Sequence, residues 1–401
     1  MISIVLKLVV VYTESTRRMR LRYIKFVAFL VVAFGVSAVL FSPSAHATTF
    51  TVTNTSDSGA GSLRQAITNA NADSSATSTA PHLINFNIVG SGVQTITPTS
   101  ALPTINRPIT IDGTTQTGAS CGTLVPALPA SSNTPHNLTV EINAANLSTG
   151  VFLFVGSGAA GSTIKGLILN GFNTTSGYYL RLDAATTVSC NYIGVSSDGA
   201  TTQANAKASG LYITRTADNS TINNNLITVN GDGVYPGASS SDRTTNLTIS
   251  DNLIGTTANG FGTVTSGGAV VKLTRGIYTN WLDNASIRHN IIANTTGQGI
   301  WFFASINSSI KGNYVGAAID GKTILAAAGI SGNADDNSII GGPDAIDRNV
   351  IIGSTSNGIN IYNGTTNGPV TVQNNYIGLA ADGVTAVGNS GIGVAFTNAN
   401  N

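Results

Sequence analysis

The sequence predicts an all-β protein, a right-handed parallel β-helix (a solenoid of stacked coils) with a short N-terminal capping helix. Three observations carry that prediction. Asn191-Tyr192-Ile193-Gly194 recurs as Asn252-Leu253-Ile254-Gly255, Asn313-Tyr314-Val315-Gly316 and Asn375-Tyr376-Ile377-Gly378, a period of 61 or 62 residues. Asn225, Asn290 and Asn349 divide each period into a long and a short step. Charged residues make up only 9% of the chain, far below the roughly 25% of ordinary soluble domains, as suits side chains stacked in register where like charges would repel.

Aligned on the recurrent Asn, each step is one coil. Three positions earlier stand Val188, Ile222, Ile249, Ile287, Ile310, Ile346 and Val372; two positions later stand Ile193, Ile227, Ile254, Ile292, Val315, Ile351 and Ile377. Every one is β-branched, which fits a pleated sheet and not a helical solenoid. Stacking at about 4.8 Å turns each set into a continuous inward stripe. The Asn residues themselves form the expected structural ladder: Asn191, Asn225, Asn252, Asn290, Asn313, Asn349 and Asn375. At that spacing a side-chain carbonyl can accept an amide from the adjoining coil, satisfying a buried polar group. The coil around Ile164 and Leu169 has Leu167 in place of Asn, so the ladder should begin at Asn191.

Long coils also carry Asp198-Gly199, Asn259-Gly260, Asp320-Gly321 and Asp382-Gly383, the Asx-Gly chemistry of tight turns. One carboxylate per loop makes a poor calcium site, and no metal or cofactor is expected.

The organisation expected is a signal-peptide region over 1–47, a cap and first coils over 48–113, a loop insertion with early coils over 114–161, and repeats over 162–401. In the first segment Arg17, Arg18, Arg20, Arg22 and Lys25 precede an apolar run from Phe26 to Phe41 and then Ala45-His46-Ala47, with cleavage expected after Ala47. The run is shorter than the roughly 20 residues of a spanning helix. Met19 would serve equally as the start. Removing 1–47 takes six of the 19 basic and one of the 18 acidic residues, leaving net −4, which disfavours nucleic acid and anionic membrane as partners. Cys121 and Cys190 can form at most one disulfide.

In the cap, Phe50 to Thr53 reads as a strand. Ser62-Leu63-Arg64-Gln65 reads as a capping box, with Leu63, Ala66, Ile67 and Ala70 on one helical face. Such a helix can cover the first rung of a solenoid, whose open edge otherwise invites pairing.

Gly61-Ser62-Leu63-Arg64-Gln65-Ala66-Ile67 resembles the CSLREA motif of secreted bacterial β-helix repeat proteins, and the repeat from Asn375 to Gly388-Asn389 is similar to the coils that follow it there. Gly61 stands for the motif's Cys and Gln65 for its Glu. The resemblance implies a cell-surface or secreted parallel β-helix, often part of a larger adhesin-like chain, with no catalytic residues to carry over. The last coil stops short of the strand that Ser338 to Gly342 supplies one period earlier, as in a product cut from a longer gene.

The wider pectate-lyase-like superfamily includes polysaccharide lyases and glycosidases, so an enzyme is the alternative to a structural, glycan-contacting protein. Asp251 and His289 share the column before the ladder Asn; Arg288, Lys311 and Asp347 share the one before that. These five are the catalytic candidates, with surface charge pairing as the plain explanation. Asp335-Asp336 is the sole adjacent acidic pair, in a turn. For ligand binding the candidates are Tyr192, Tyr314 and Tyr376, expected to face outward or else to pack beneath inserted loops, and Trp301, grouped with Trp281, Phe302 and Phe303.

Overall fold

The computed structural model describes residues 47–147, 150–172, 177–203, 208–237, 239–333, 336–362 and 368–397. The expected signal segment before Ala47, and Asp335, lie outside the described residues.

β-branched and Leu residues alternating with polar ones form short strands that stack into three all-parallel sheets of 11, 10 and 9 strands, a right-handed parallel β-helix. Each strand pairs with its equivalent one coil away: Val188 with Ile222 in the first sheet, Ile193 with Ile227 in the second, Leu211 with Val234 in the third. The inward stripe Ile164, Val188, Ile222, Ile249, Ile287 and Ile310 is at most 2% exposed. Each such burial stabilises the coil by roughly 1.5–3 kcal/mol.

From Asn191 onward, every coil bends at the recurrent Asn between the first and second sheets. Asn225 is representative: its Oδ1 accepts from the Asn191 backbone N at 3.1 Å and from Asn191 Nδ2 at 3.0 Å, while its own Nδ2 donates to the Val188 carbonyl at 2.9 Å. Links of the same kind join Asn225 to Asn252, then Asn290, Asn313, Asn349 and Asn375. At the near end the Leu167 amide donates to Asn191 Oδ1.

A second buried column was not foreseen. At the bend from third sheet to first, Ser162, Ser220, Ser308 and Ser338 accept backbone N–H groups of Ile109, Thr186, Ala285 and Ser308, each one coil earlier. These hydroxyls satisfy amides that the sharp bend takes out of the strand pairing.

One predicted column member is corrected. Ile346 is 69% exposed, and Ile340 takes its inward place, in register with Ile310 and Val372. Gly341 aligns with Gln373, which stands two residues before its ladder Asn, whereas Gly341 stands eight before Asn349. The surplus forms an outward bulge containing a 3-10 turn at Ala345–Asp347.

At the start, Thr49–Val52 is the edge strand of the first sheet, and helix α1 (Leu63–Ala72) packs beside it with Leu63, Ala66, Ile67 and Ala70 buried. Only half the capping box forms: Gln65 N donates to Ser62 Oγ at 3.2 Å, but the Gln65 side chain turns to Asn69. Arg64 instead anchors the helix, donating to Asp57 and to the carbonyls of Ser100 and Ala101. No helix among the described residues is long and apolar enough to cross a membrane.

Candidate functional site

The residue before the ladder Asn closes the bend in every ladder coil but that of Arg348, whose φ is −68°. Cys190, Asn224, Asp251, His289 and Asn374 all have φ between 53° and 58°, and Gly312 has φ 64°. The left-handed conformation explains why Asn, Asp and Gly are frequent there. Within this column Asp251 and His289 meet, with Oδ1 3.6 Å from Nδ1. Burial works to raise the Asp251 pKa, but His289, Ser250 and Arg288 outweigh it and hold the carboxyl below its ordinary range.

The other catalytic candidates go elsewhere. Lys311 Nζ pairs with Asp347 Oδ2 at 3.0 Å, and Arg288 is exposed. The five therefore form two pairs on neighbouring columns, with the exposed Arg288 in register beside Lys311 and acting on Asp251.

The inserted loop between Gly113 and Asn137 runs along the outer face of the second sheet as a strap. A disulfide joins Cys121 to Cys190, Leu124 N donates to Asn224 Oδ1, Asn133 Nδ2 donates to the Ala258 carbonyl, and Ala130 N reaches the Ile319 carbonyl. His136 Nδ1 accepts from Gly122 N, so its Nε2 carries the proton it donates to the Asn224 carbonyl. Burial pushes the His136 pKa down.

Of the two readings of the tyrosine row, packing beneath inserted loops is the one the structure supports. Tyr192, Tyr314 and Tyr376 point away from the coil interior, but the first two are 1% and 4% exposed beneath the loops and Tyr376 is half-buried. Tyr192 stacks on His136 with centroids 5.5 Å apart and donates to the His136 carbonyl.

Past the tip of the strap lies a cavity of about 500 Å³. Its apolar walls are strap residues Val125 to Pro129 on one side, Tyr314, Val350 and Tyr376 on another, and Ala345 and Ile346 of the bulge. Its polar groups are Asp251, His289 and Arg348. Arg348 donates to Asn374 Oδ1 at 2.6 Å, its guanidinium carbon lies 4.1 Å from the Tyr376 ring centroid, and it pairs with no carboxylate among the described residues. Catalytic candidates Asp251 and His289 thus share one wall system with ligand candidates Tyr314 and Tyr376. Among the described residues Asp251 is the only carboxylate lining the space.

Asp198, Asp320 and Asp382 are used by their own turns. Asp320 Oδ1 accepts from Lys322 N and Thr323 N while Oδ2 accepts from Thr323 Oγ1, and the other two repeat the pattern. The described residues contain no group of three or more side chains that could hold a metal ion.

The fourth ligand candidate, Trp301, belongs to a different surface. On the outer face of the third sheet Tyr212, Tyr235, Tyr278 and Trp301 are in register on successive coils. Neighbouring centroids are 5.4, 5.0 and 5.4 Å apart, and Tyr178 stacks on Tyr212 at 4.6 Å. Arg181 lies over Phe154 and Tyr212 and is bidentate to Asp183; Arg275 lies 3.7 Å from the Tyr278 centroid and is bidentate to Asp232. All four rings of the register are partly exposed. Of the remaining aromatics, Phe302 faces inward and Trp281 meets Phe303 edge to face.

The stripe escapes alignment on the ladder Asn because the distance from Asn to ring alternates: 21, 10, 26 and 11 residues. A local signal does exist in Gly210-Leu211-Tyr212, Gly233-Val234-Tyr235, Gly276-Ile277-Tyr278 and Gly299-Ile300-Trp301. The glycine is forced by stacking, since a Cβ on Gly210 would lie 2.4 Å from the Gly233 carbonyl oxygen.

No protein-family profile matches the chain, and no curated protein matches it in sequence. Among solved structures it is similar to a periplasmic alginate epimerase, at 13% identity and TM-score 0.35 over 76% of this chain and 72% of that one. It is also similar to the A-module of a mannuronan C-5 epimerase of Azotobacter vinelandii, at 11% identity and TM-score 0.39 over 87% and 97%. A third is the surface protein and adhesin PfbA of Streptococcus pneumoniae, at 10% identity and TM-score 0.28 over 87% and 100%.

Proposed function

We propose that this chain is an exported, surface-displayed β-helix that contacts a neutral extracellular glycan along the outer face of its third sheet, without cofactor or turnover. The observation that carries the proposal is the stripe from Phe154 and Arg181 through Tyr212, Tyr235 and Tyr278 to Trp301 on six successive coils. Five rung intervals of about 4.8 Å make a rail roughly 24 Å long. Stacked on one another, the rings spend their faces within the row and offer edges, phenol hydroxyls and guanidinium N–H groups to a ligand. Burial raises the Tyr178 and Tyr235 pKa values, which keeps both hydroxyls protonated donors. Each arginine is matched by its own aspartate, so the rail suits uncharged sugar hydroxyls better than a polyanion.

Export rests on residues 1–47 as a signal segment, and membership of the CSLREA-bearing secreted proteins rests on residues 61–67. Both belong to this proposal.

The test is binding of the purified full chain to a panel of soluble neutral and acidic polysaccharides, with unsaturated and reducing-end products followed in the same samples. Expected is retention of a neutral glycan, weakened about tenfold or more by Trp301→Ala or Tyr235→Ala, a loss of at least 1.4 kcal/mol. Equal binding by these variants, no retention at all, or release of products would each overturn it.

A further inference from the structure

Independently of the glycan rail, we infer that the cavity beside the strap is a binding site for a short zwitterionic peptide with an apolar middle, its carboxylate at Arg348 and its amino terminus at Asp251. The inference begins with how the cavity is made. A plain stack of coils has no such space here. It arises where two departures from the repeat face each other, the strap tip at Val125 to Pro129 and the bulge carrying Ala345 and Ile346.

The two polar ends differ in sign. Asp251 and His289 occupy adjacent rungs at one end, and Asp251 is the only acidic side chain in the lining among the described residues. At the other end Arg348 is fixed by Asn374 and by the Tyr376 ring, and has no carboxylate partner among the described residues. A guanidinium held by neutral groups against apolar walls is an unfilled anion site, for which a carboxylate forms charge-assisted bonds. Counting rungs through His289 and Gly312 to Arg348 puts the two charges about three spacings apart, roughly 14 Å. An extended peptide of about four residues, at roughly 3.3–3.6 Å each, spans that length.

Most of the remaining lining is aliphatic. Leu128, Pro126 and Val350 belong to it, and Ile346, also in the lining, stands 69% exposed, where water gains nothing from contact with it. About 500 Å³ lies within the range of small-ligand sites and accommodates a peptide of this length with aliphatic side chains. Sugars fit less well, since most of the wall is aliphatic and cannot answer a ring of hydroxyls.

Calorimetry and ligand-observed NMR with leucyl-alanyl-leucine and alanyl-leucyl-alanyl-leucine, each also as the N-acetyl and the C-amide form, test the site on the full chain. Expected is binding of the free peptides, weakened about tenfold or more by amidation and by Arg348→Met, and by acetylation and by Asp251→Asn, as loss of one charge-assisted bond implies. Arg348→Lys should restore part of the affinity, and Trp301→Ala should leave it unchanged. Loss with Trp301→Ala would move binding to the glycan rail and overturn the assignment. So would failure of every free peptide at millimolar concentration, indifference to Arg348→Met in a variant that melts like the parent, or preference for methyl pyranosides over peptides at this cavity.

Discussion

The Asp251 carboxylate and the His289 imidazole face each other at 3.6 Å from adjacent rungs, and both residues hold a left-handed backbone, φ 58° and 54°. The bend that makes room for the ladder Asn is therefore also what aims these two side chains at the cavity.

Backbone and charge can be separated at this pair. His289→Asn should melt within about 1 kcal/mol of the parent, because Asn tolerates the left-handed region and a solvent-accessible pair contributes little. His289→Val should cost about 1–2 kcal/mol more, because a β-branched residue is strained there. Urea denaturation of both variants decides it, and equal stabilities would remove the backbone explanation.

For Asp251 the folded carboxyl lies below its unfolded value. Its contribution is thus present above about pH 4 and lost as pH falls through the folded pKa. The difference in melting temperature between parent and Asp251→Asn should narrow as pH falls below about 4. A difference that keeps its size from about pH 5 down to about pH 3 would contradict the assignment.

His136 has the same sign in a higher pH window. Its folded pKa is lowered by burial, so the unfolded chain takes up the proton first and stability falls with pH from about 6.5 downward. Protonated, His136 could no longer accept from Gly122 N. Protection of the Gly122 amide from hydrogen exchange, relative to the intrinsic rate at each pH, should fall between pH 7.5 and 5 in the parent, and unchanged protection would show that the ring is not the pH-sensitive clamp of the strap.

Reduction should loosen the same strap. The Cys121–Cys190 bond spans a sequence separation of 69, and its loss should cost about 2–4 kcal/mol. Cleavage between Leu124 and Ala130 should then appear in limited proteolysis before any cleavage of the coils. Simultaneous loss of the whole chain would mean that strap and coils unfold together.

Ladder substitutions should grade with position. Asn290→Ala strands the Asn252 amide and the Ile249 carbonyl inside the stack, at about 1–3 kcal/mol for each unsatisfied group. Asn375 is only partly buried, so Asn375→Ala should cost less. Equal costs by chemical denaturation would mean the interior links add nothing beyond packing.

Gly321 joins an Asx turn to the tyrosine beneath it: φ is 64°, and an added Cβ would lie 2.4 Å from the Ala381 Cβ and 2.8 Å from the Tyr314 ring. The Asx-Gly pairs were legible as turns, but their stacking on one another and on Tyr314 was not. That contact joins residues a whole period apart.

From the sequence alone came the coil, the β-branched interior, the recurrent Asn and the apolar face of α1, all of which repeat or alternate locally. Registers that depend on loop length did not come with them. A fixed offset from Asn349, which holds in the other coils, points Ile346 inward, and the surplus residues before that Asn defeat it. The row from Tyr212 to Trp301 stayed hidden because its distance from the ladder alternates. Only the tertiary structure decided that Cys121 meets Cys190, that the strap buries Tyr192 and Tyr314, and that Asp251, His289 and Arg348 border one cavity. The physical reason is that a solenoid's repeat encodes contacts between neighbouring coils, whereas the cavity is bounded by two irregular insertions. Where an insertion comes to rest depends on side chains several coils away.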